Sequence, residues 1–78
     1  MGKYTLVGVD GNAYSVMGYT SRALKNEGLE NLVNKMQKEA TSGNYQNLLA
    51  VCMDYVERAN EKAYENGWED DGEMEQNW

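Results

Sequence analysis

The stretch from residue 4 to residue 17 constrains the fold of this chain more than any other part of the sequence. Residues 3–9 alternate between two rows of side chains, which is the period of a β-strand, and both rows are fairly apolar. Asp10-Gly11-Asn12 then breaks the run with residue types that favour turns and helix caps. We therefore predict one N-terminal strand that is covered on both faces and that ends at this turn.

Two interpretations compete for the residues after the turn. In the first, Asp10 or Asn12 caps a helix that runs to about Asn26 and that Gly28 ends. In the second, the same turn opens a hairpin whose second strand covers residues 12–17. Residues suited to one helix face recur at three- and four-residue steps over a stretch much longer than residues 12–17, so we favour the helix. The stripe of this helix consists of Ala13, Val16, Met17, Thr20, Ala23, Leu24 and Glu27.

Two more helices follow from the same kind of spacing. The second covers residues 29–40, and the third runs from Tyr45 to about Tyr64 with Asn44 as its N-cap. Gly18 weakens the first helix by about 1 kcal/mol relative to alanine, a cost that is tolerable if another helix crosses closely at this position. The predicted fold class is therefore α+β and mostly helical, with a short N-terminal strand followed by three α-helices.

Charge divides the chain into a body and a tail. Residues 1–64 hold seven bases and seven acids, whereas residues 65–78 hold six acids and no base, so the tail carries the whole net charge of −6. No helical or strand period continues into the tail. We predict one small domain over residues 1–64, since 78 residues allow no more, and an acidic, disordered tail over residues 65–78.

Several functional classes lack their sequence signals. The chain has no histidine and a single cysteine, Cys52, so we expect no internal disulfide, no zinc site and no histidine-based catalysis. The balanced charge of the body offers no basic stripe for direct binding of nucleic acid. No apolar run approaches the roughly 20 residues of a membrane span, and the N-terminus lacks the apolar core of a secretion signal. We expect a soluble cytoplasmic protein that is not an enzyme and needs no cofactor or metal.

The turn before the first predicted helix is the first candidate binding site. A strand, a glycine turn and a helix start leave backbone N–H groups pointing outward, and such an end attracts anions, phosphate included. The backbone of residues 11–13 would supply these donors, and a nearby tyrosine would stack on a base. The alternative is structural, in that the turn residues only cap the helix, and the carboxylate of Asp10 repels phosphate. The residues of this candidate site are Asp10, Gly11, Asn12, Tyr14 and Tyr19.

The tail is the second candidate for binding. Trp68 and Trp78, the only tryptophans, both lie among acids, and tryptophan is frequent at binding hot spots. An acidic-aromatic tail of this kind would dock on a basic protein surface or imitate nucleic acid. The alternative is a solubilising tail that contains two incidental tryptophans.

Two blocks of the sequence resemble a family of small proteins from tailed-phage and prophage genomes. Residues 6–18 look like the Asp-Gly-Asn-Ala-aromatic segment that leads into Met-Gly and a helix with basic residues in that family. Residues 39–49 are similar to its second block, a Ser-Gly-Asp-Tyr turn before paired apolar residues, with Asn44 in place of the aspartate. Together the resemblance covers roughly residues 3–60. It implies a phage context and supplies no mechanism.

These observations lead to three functional hypotheses. The first is a phage-encoded accessory protein that binds a host protein in the host cytoplasm, in the role of a host-defence inhibitor. The second is an oligomeric trap for a nucleotide-type small ligand at the Gly11–Ala13 helix start, and the third is a structural or virion-associated protein. A lone strand cannot satisfy its own backbone hydrogen bonds, so we also expect a homo-oligomer, either a dimer built by strand pairing or a larger assembly.

Overall fold

The structure, a computed structural model, describes residues 2–69, and every regular element within that range is helical. Helix α1 spans Ala13–Asn26, and a short 3-10 helix over Glu30–Leu32 leads directly into α2, which spans Val33–Ala40. Helix α3 is the longest and spans Tyr45–Glu65. It packs against both α1 and α2, which also contact each other. The described residues therefore form a three-helix arrangement in which α3 is the shared partner.

The helix ends confirm the helical interpretation of residues 12–17 and show that the hairpin alternative is wrong. The side chain of Asn12 caps α1 by accepting hydrogen bonds from the backbone N–H groups of Tyr14 and Ser15, at 2.8 and 3.3 Å. Asn44 caps α3 in the same way, since its side chain accepts from the N–H of residue 47 at 2.9 Å. Gly28, with a φ of 78°, ends α1 in the left-handed conformation that glycine adopts most easily.

The predicted N-terminal strand, by contrast, is wrong. The backbone N–H of Val9 donates to the carbonyl of Leu6 at 3.1 Å, which closes a tight turn in the middle of the alternating run. Gly8, at the third position of that turn, has a φ of 85°, as a type II turn requires there. Residues 2–69 contain no strand at all, so the α+β fold class is also wrong and the described part is all-α.

Side chains from the helices satisfy the backbone of the N-terminal segment, where a neighbouring strand was expected. The amide of Asn60 on α3 makes two bonds to one residue: its oxygen accepts from the N–H of Tyr4 at 2.7 Å, and its nitrogen donates to the carbonyl of Tyr4 at 2.9 Å. The hydroxyl of Tyr19 on α1 accepts from the N–H of Thr5 at 2.9 Å. Strand pairing therefore gives no reason for a dimer, and homo-oligomerisation stays a prediction.

The core lies along the contact of α3 with the other two helices. It includes most residues of the predicted α1 stripe, among them the two polar residues Thr20 and Glu27. The hydroxyl of Thr20 donates to the carbonyl of Val16 at 2.9 Å, so this buried polar group has a hydrogen-bond partner. The buried apolar residues are Tyr4, Val16, Ala23, Leu24, Val33, Met36, Ala40, Leu48, Cys52, Tyr55, Val56, Ala59 and Ala63.

Gly18 is the first site for a test, because no helix crosses closely there. A Cβ built on Gly18 would meet only the guanidinium of Arg22, at 3.7 Å. We expect Gly18→Ala to raise the free energy of unfolding by about 1 kcal/mol, because alanine lowers the backbone entropy lost on helix formation. In a thermal melt this corresponds to an increase of about 4–8 °C for a domain of this size. A lower melting temperature would show that the Gly18 backbone makes a close contact after all.

The described chain ends shortly after α3. Trp68 follows the end of α3 at Glu65 and packs against the core. The remainder of the predicted acidic tail, residues 70–78, lies outside the described residues together with Trp78. Among the helices of residues 2–69, none has the length and apolar character needed to cross a membrane.

Candidate functional site

The predicted site residues Asp10, Gly11, Asn12 and Tyr14 lie together where α1 begins. The carboxylate of Asp10 accepts from the N–H of Asn12 at 3.3 Å, and the Asn12 side chain accepts from two further N–H groups of the first turn. The carbonyl of Gly11 accepts a hydrogen bond from the hydroxyl of Tyr45 on α3. Several backbone N–H groups that an anion would need are therefore already bonded within the fold. Fewer N–H groups at the start of α1 are free to bind an anion than the sequence predicts.

Tyr14, however, projects from this helix start into solvent. Its exposed fraction is 84%, the highest among the large apolar side chains of the described chain. Tyr14 and Tyr45 both line a shallow cavity of about 390 Å³ between the starts of α1 and α3 and the end of α2. Pockets for small molecules occupy about 300–1,000 Å³ and commonly contain aromatic walls. The helix start thus offers an aromatic surface for a flat ligand.

A basic surface continues from Tyr14 along the same side of α1. Gly18, Arg22 and Lys25 follow at four-, eight- and eleven-residue steps, so all four lie on one side of the helix, which we call the α1 face. Arg22 and Lys25 are exposed, and α1 contains no acidic residue. The guanidinium of Arg22 reaches back over Gly18, where the missing side chain leaves room for it. The guanidinium of Arg22 therefore lies beside Gly18, which is one turn along the helix from Tyr14.

The other predicted aromatic residues lie elsewhere. Tyr19 is half-buried on α1 outside this face, where its hydroxyl holds the N-terminal segment and its ring meets Tyr4 edge-on at 6.5 Å. Trp68 lies at the far end of α3, edge-on to Tyr64 at 5.3 Å between ring centres, and its backbone N–H donates to the carbonyl of Ala63 at 2.9 Å. These contacts give both residues a structural role, and Trp78 lies outside the described residues.

A buried carboxylate, Glu27, is the most connected ionisable group of the described chain. Lys3 donates to it at 2.9 Å, the hydroxyl of Tyr4 donates to the same oxygen, and the amide of Asn66 donates to the other oxygen at 3.1 Å. Burial raises the pKa of Glu27, but the bonds from Tyr4, Lys3 and Asn66 outweigh burial and hold that pKa below its usual value. Since both oxygens are already bonded, we assign this carboxylate to stability rather than to proton transfer.

The single cysteine, Cys52, lies in the core. Cys52 is fully buried, and burial raises the pKa of its thiol, which disfavours the reactive thiolate. Burial also raises the pKa of Tyr55, whose hydroxyl donates to the carboxylate of Glu39 at 3.2 Å. Within residues 2–69, no three acidic or cysteine side chains lie close enough together to hold a metal ion.

A second surface lies between the N-terminal segment and α3. It is a cavity of about 600 Å³, which we call the apolar groove. Val7, at the tip of the N-terminal turn, is 83% exposed, and Met53 on α3 is 59% exposed. Asp54 and Glu57 form the polar edge of the same groove. The remaining lining residues are Tyr4, Thr5, Leu6, Leu49, Val56 and Asn60.

Sequence reasoning missed both the basic part of the α1 face and the apolar groove. The first had a signal, since Arg22 and Lys25 stand in helical register with Tyr14 in a helix without acids. The groove had none, because it forms only when the N-terminal segment, there misjudged as a strand, packs against α3.

Comparisons with known proteins identify no relative of this chain. No protein-family model, no curated protein and no solved structure matches it.

Proposed function

We propose that this chain is a phage-encoded accessory protein that binds and sequesters a nucleotide-type small ligand without transforming it. The observation that carries this proposal is the α1 face, which holds the exposed Tyr14 and, beside Gly18 one turn further along the helix, the guanidinium of Arg22. A base has a flat face that stacks on an aromatic ring, and a phosphate is the preferred partner of a guanidinium.

The charge of α1 also favours an anionic ligand. The whole chain carries a net charge of −6, yet α1 contains two bases and no acid. A ligand on this face therefore meets positive side chains even though the protein as a whole is acidic. Lys25, one turn beyond Arg22, would bind a second phosphate group.

A single α1 face is open on its outer side, so a second copy of the chain would cover a ligand bound there. This is the role that we assign to the predicted homo-oligomer. Because the resemblance to tailed-phage proteins implies a phage context, we further propose that the ligand is a nucleotide signal of the infected cell, whose removal in the host cytoplasm would inhibit a host defence.

Thermal-shift measurements on the purified full-length chain test this function. We expect at least one member of a panel of linear and cyclic mono- and oligonucleotides to stabilise the protein. A ligand at about 100 times its Kd adds about 2.7 kcal/mol to the free energy of unfolding, which raises the melting temperature by more than about 10 °C. Tyr14→Ala and Arg22→Gln should each abolish the increase.

The matched control for these variants is Lys35→Gln, which removes an exposed base from α2. It should retain the nucleotide-dependent increase in melting temperature. If no nucleotide stabilises the wild-type protein, or if Lys35→Gln weakens binding as much as Arg22→Gln, the α1 face is not the binding site.

A second candidate function, binding of a host protein, is favoured by the apolar groove. Two large apolar side chains, Val7 and Met53, are exposed beside it, and side chains of this kind commonly anchor protein interfaces. The test is capture from host lysate with the wild-type protein, with Met53→Asn, and with Glu30→Gln as a control on another surface. A partner that the wild-type protein and Glu30→Gln retain and that Met53→Asn loses supports this function. Equal recovery by all three contradicts it.

A further inference from the structure

We infer that the apolar groove takes an amphipathic, basic segment of a partner protein, so that apolar side chains enter the groove and basic side chains meet its acidic edge. This inference rests on the second candidate function, binding of a host protein, and adds the chemistry of the partner. It concerns a surface separate from the α1 face, on which the nucleotide proposal depends.

The apolar part of the groove suits a segment with regularly spaced apolar side chains. Leu49, Met53 and Val56 follow one another at four- and three-residue steps along α3, and the turn that carries Leu6 and Val7 forms the opposite wall. An amphipathic helix that binds in a groove presents apolar anchors with the same spacing.

The acidic edge of the groove determines which charge the partner segment should carry. Asp54 and Glu57 line the groove, and Glu61 continues the same side of α3 one turn further on. Neither Asp54 nor Glu57 forms an ion pair within residues 2–69. Each base of the same helix has a contact of its own, since the guanidinium of Arg58 lies 4.7 Å from the centre of the Tyr55 ring and Lys62 pairs with Glu65 at 3.6 Å. Basic side chains would therefore meet unpaired carboxylates along one flank of the groove.

The same charges argue against two other occupants. The tail of this chain, residues 65–78, contains six acids and no base, so the acidic edge repels it. A two-fold dimer through the groove would bring the Asp54 and Glu57 edges of both copies into one interface, where like charges oppose association. A basic partner is the occupant that the charge distribution favours.

Binding of synthetic peptides to the full-length chain tests the inference. The probe is a fluorescent helical peptide with leucines at three- and four-residue steps and lysines elsewhere, and its counterpart has glutamates in place of the lysines. By fluorescence anisotropy we expect the lysine peptide to bind and the glutamate peptide not to bind. Met53→Asn and the double variant Asp54→Asn/Glu57→Gln should each weaken binding at least about tenfold, which corresponds to 1.4 kcal/mol.

Glu30→Gln is the control, because it removes one exposed acid on a different surface and should leave the affinity within about twofold. Unchanged binding by both groove variants would place the peptide elsewhere, for example on the acidic tail, and would overturn the inference. Light scattering provides a second check on the oligomeric state. If the wild-type protein is an oligomer and Met53→Asn is a monomer, the groove is an interface between copies and the inference is overturned. If the peptide binds through the groove but lysate capture yields no groove-dependent partner, the partner chemistry stands and the host-protein function fails.

Discussion

Replacement of Glu27 by glutamine should destabilise the protein more than most single substitutions. The carboxylate receives hydrogen bonds from Lys3, Tyr4 and Asn66, which join the N-terminal segment, the end of α1 and the end of α3. Hydrogen bonds to a charged group contribute about 1.5–3 kcal/mol each, whereas glutamine offers one oxygen and brings an NH₂ group against donors. We expect a loss of about 2–3 kcal/mol in urea unfolding at pH 7, out of a total of about 4–12 kcal/mol for a chain of this length.

The loss should depend on pH in a direction that the pKa of Glu27 determines. The folded state holds this pKa below the value of about 4.3 that glutamate has in an unfolded chain, so the unfolded state binds the proton more readily. The stabilisation is therefore fully present above about pH 4.3 and is lost as the pH falls through the lower, folded-state pKa. The wild-type protein and Glu27→Gln should differ clearly at pH 7 and converge in strongly acidic solution.

Glu30→Gln provides the control for both measurements. Glu30 is exposed at the start of the 3-10 helix, three residues from Glu27 in sequence, and its substitution should change stability by less than about 0.5 kcal/mol. A pH-independent difference between Glu27→Gln and the wild-type protein would contradict the proposed role of the carboxylate charge.

The second large effect is expected at Asn60. Asn60→Ala removes both bonds to the backbone of Tyr4 and leaves a buried N–H and a buried carbonyl without partners. Each buried group left unsatisfied costs about 1–3 kcal/mol, so we expect a loss of about 2–3 kcal/mol, after allowing for partial rehydration. Because Asn60 fastens a non-helical segment, circular dichroism at low temperature should still show the three helices.

Gly2→Ala probes the same contact from the other side. A Cβ on Gly2 would overlap with the side-chain amide carbon of Asn60, so the present arrangement leaves no room for it. Gly2→Ala should therefore destabilise the protein, as Asn60→Ala does. Asn34→Ala, at an exposed position of α2, is the control and should have little effect. Stability of Asn60→Ala equal to that of Asn34→Ala would show that the segment does not depend on this amide.

The helices could be predicted from the sequence because their signals are local. Asn12, Asn44 and Gly28 mark helix ends through their own side-chain or backbone chemistry, and the apolar stripes follow a period of 3.6 residues. The alternation in residues 3–9 was equally local, but it does not distinguish a strand from a segment that turns at Gly8. Whether residues 3–9 form a strand or a turn depends on side chains of α1 and α3 that are distant in sequence. The alternation of residues 3–9 carries no information about those side chains.

The candidate sites, too, could be predicted only where residues close in sequence form them. The cluster of Asp10, Asn12 and Tyr14 follows from adjacency in sequence, and the structure has these residues together at the start of α1, while their role as a binding site stays a prediction. The three donors of Glu27 come from positions 24, 23 and 39 residues away, and no spacing rule identifies such partners. The position of Arg22 over Gly18 required knowledge of which side of α1 faces solvent.

The bonds between Asn60 and Tyr4 hold a segment that has no regular secondary structure, and this affects how the molecule opens. Residues 3–9 are attached to the helices by the side chains of Tyr19, Glu27 and Asn60 and by the burial of Tyr4, without a backbone ladder. They can therefore open while the helices persist, as a local unfolding unit that is less stable than the whole domain. Hydrogen exchange would report this as fast exchange at the amides of Tyr4 and Thr5 against slow exchange in the middle of α3. One wall of the groove would then be present only for part of the time, so a partner's on-rate would depend on how often that wall is in place.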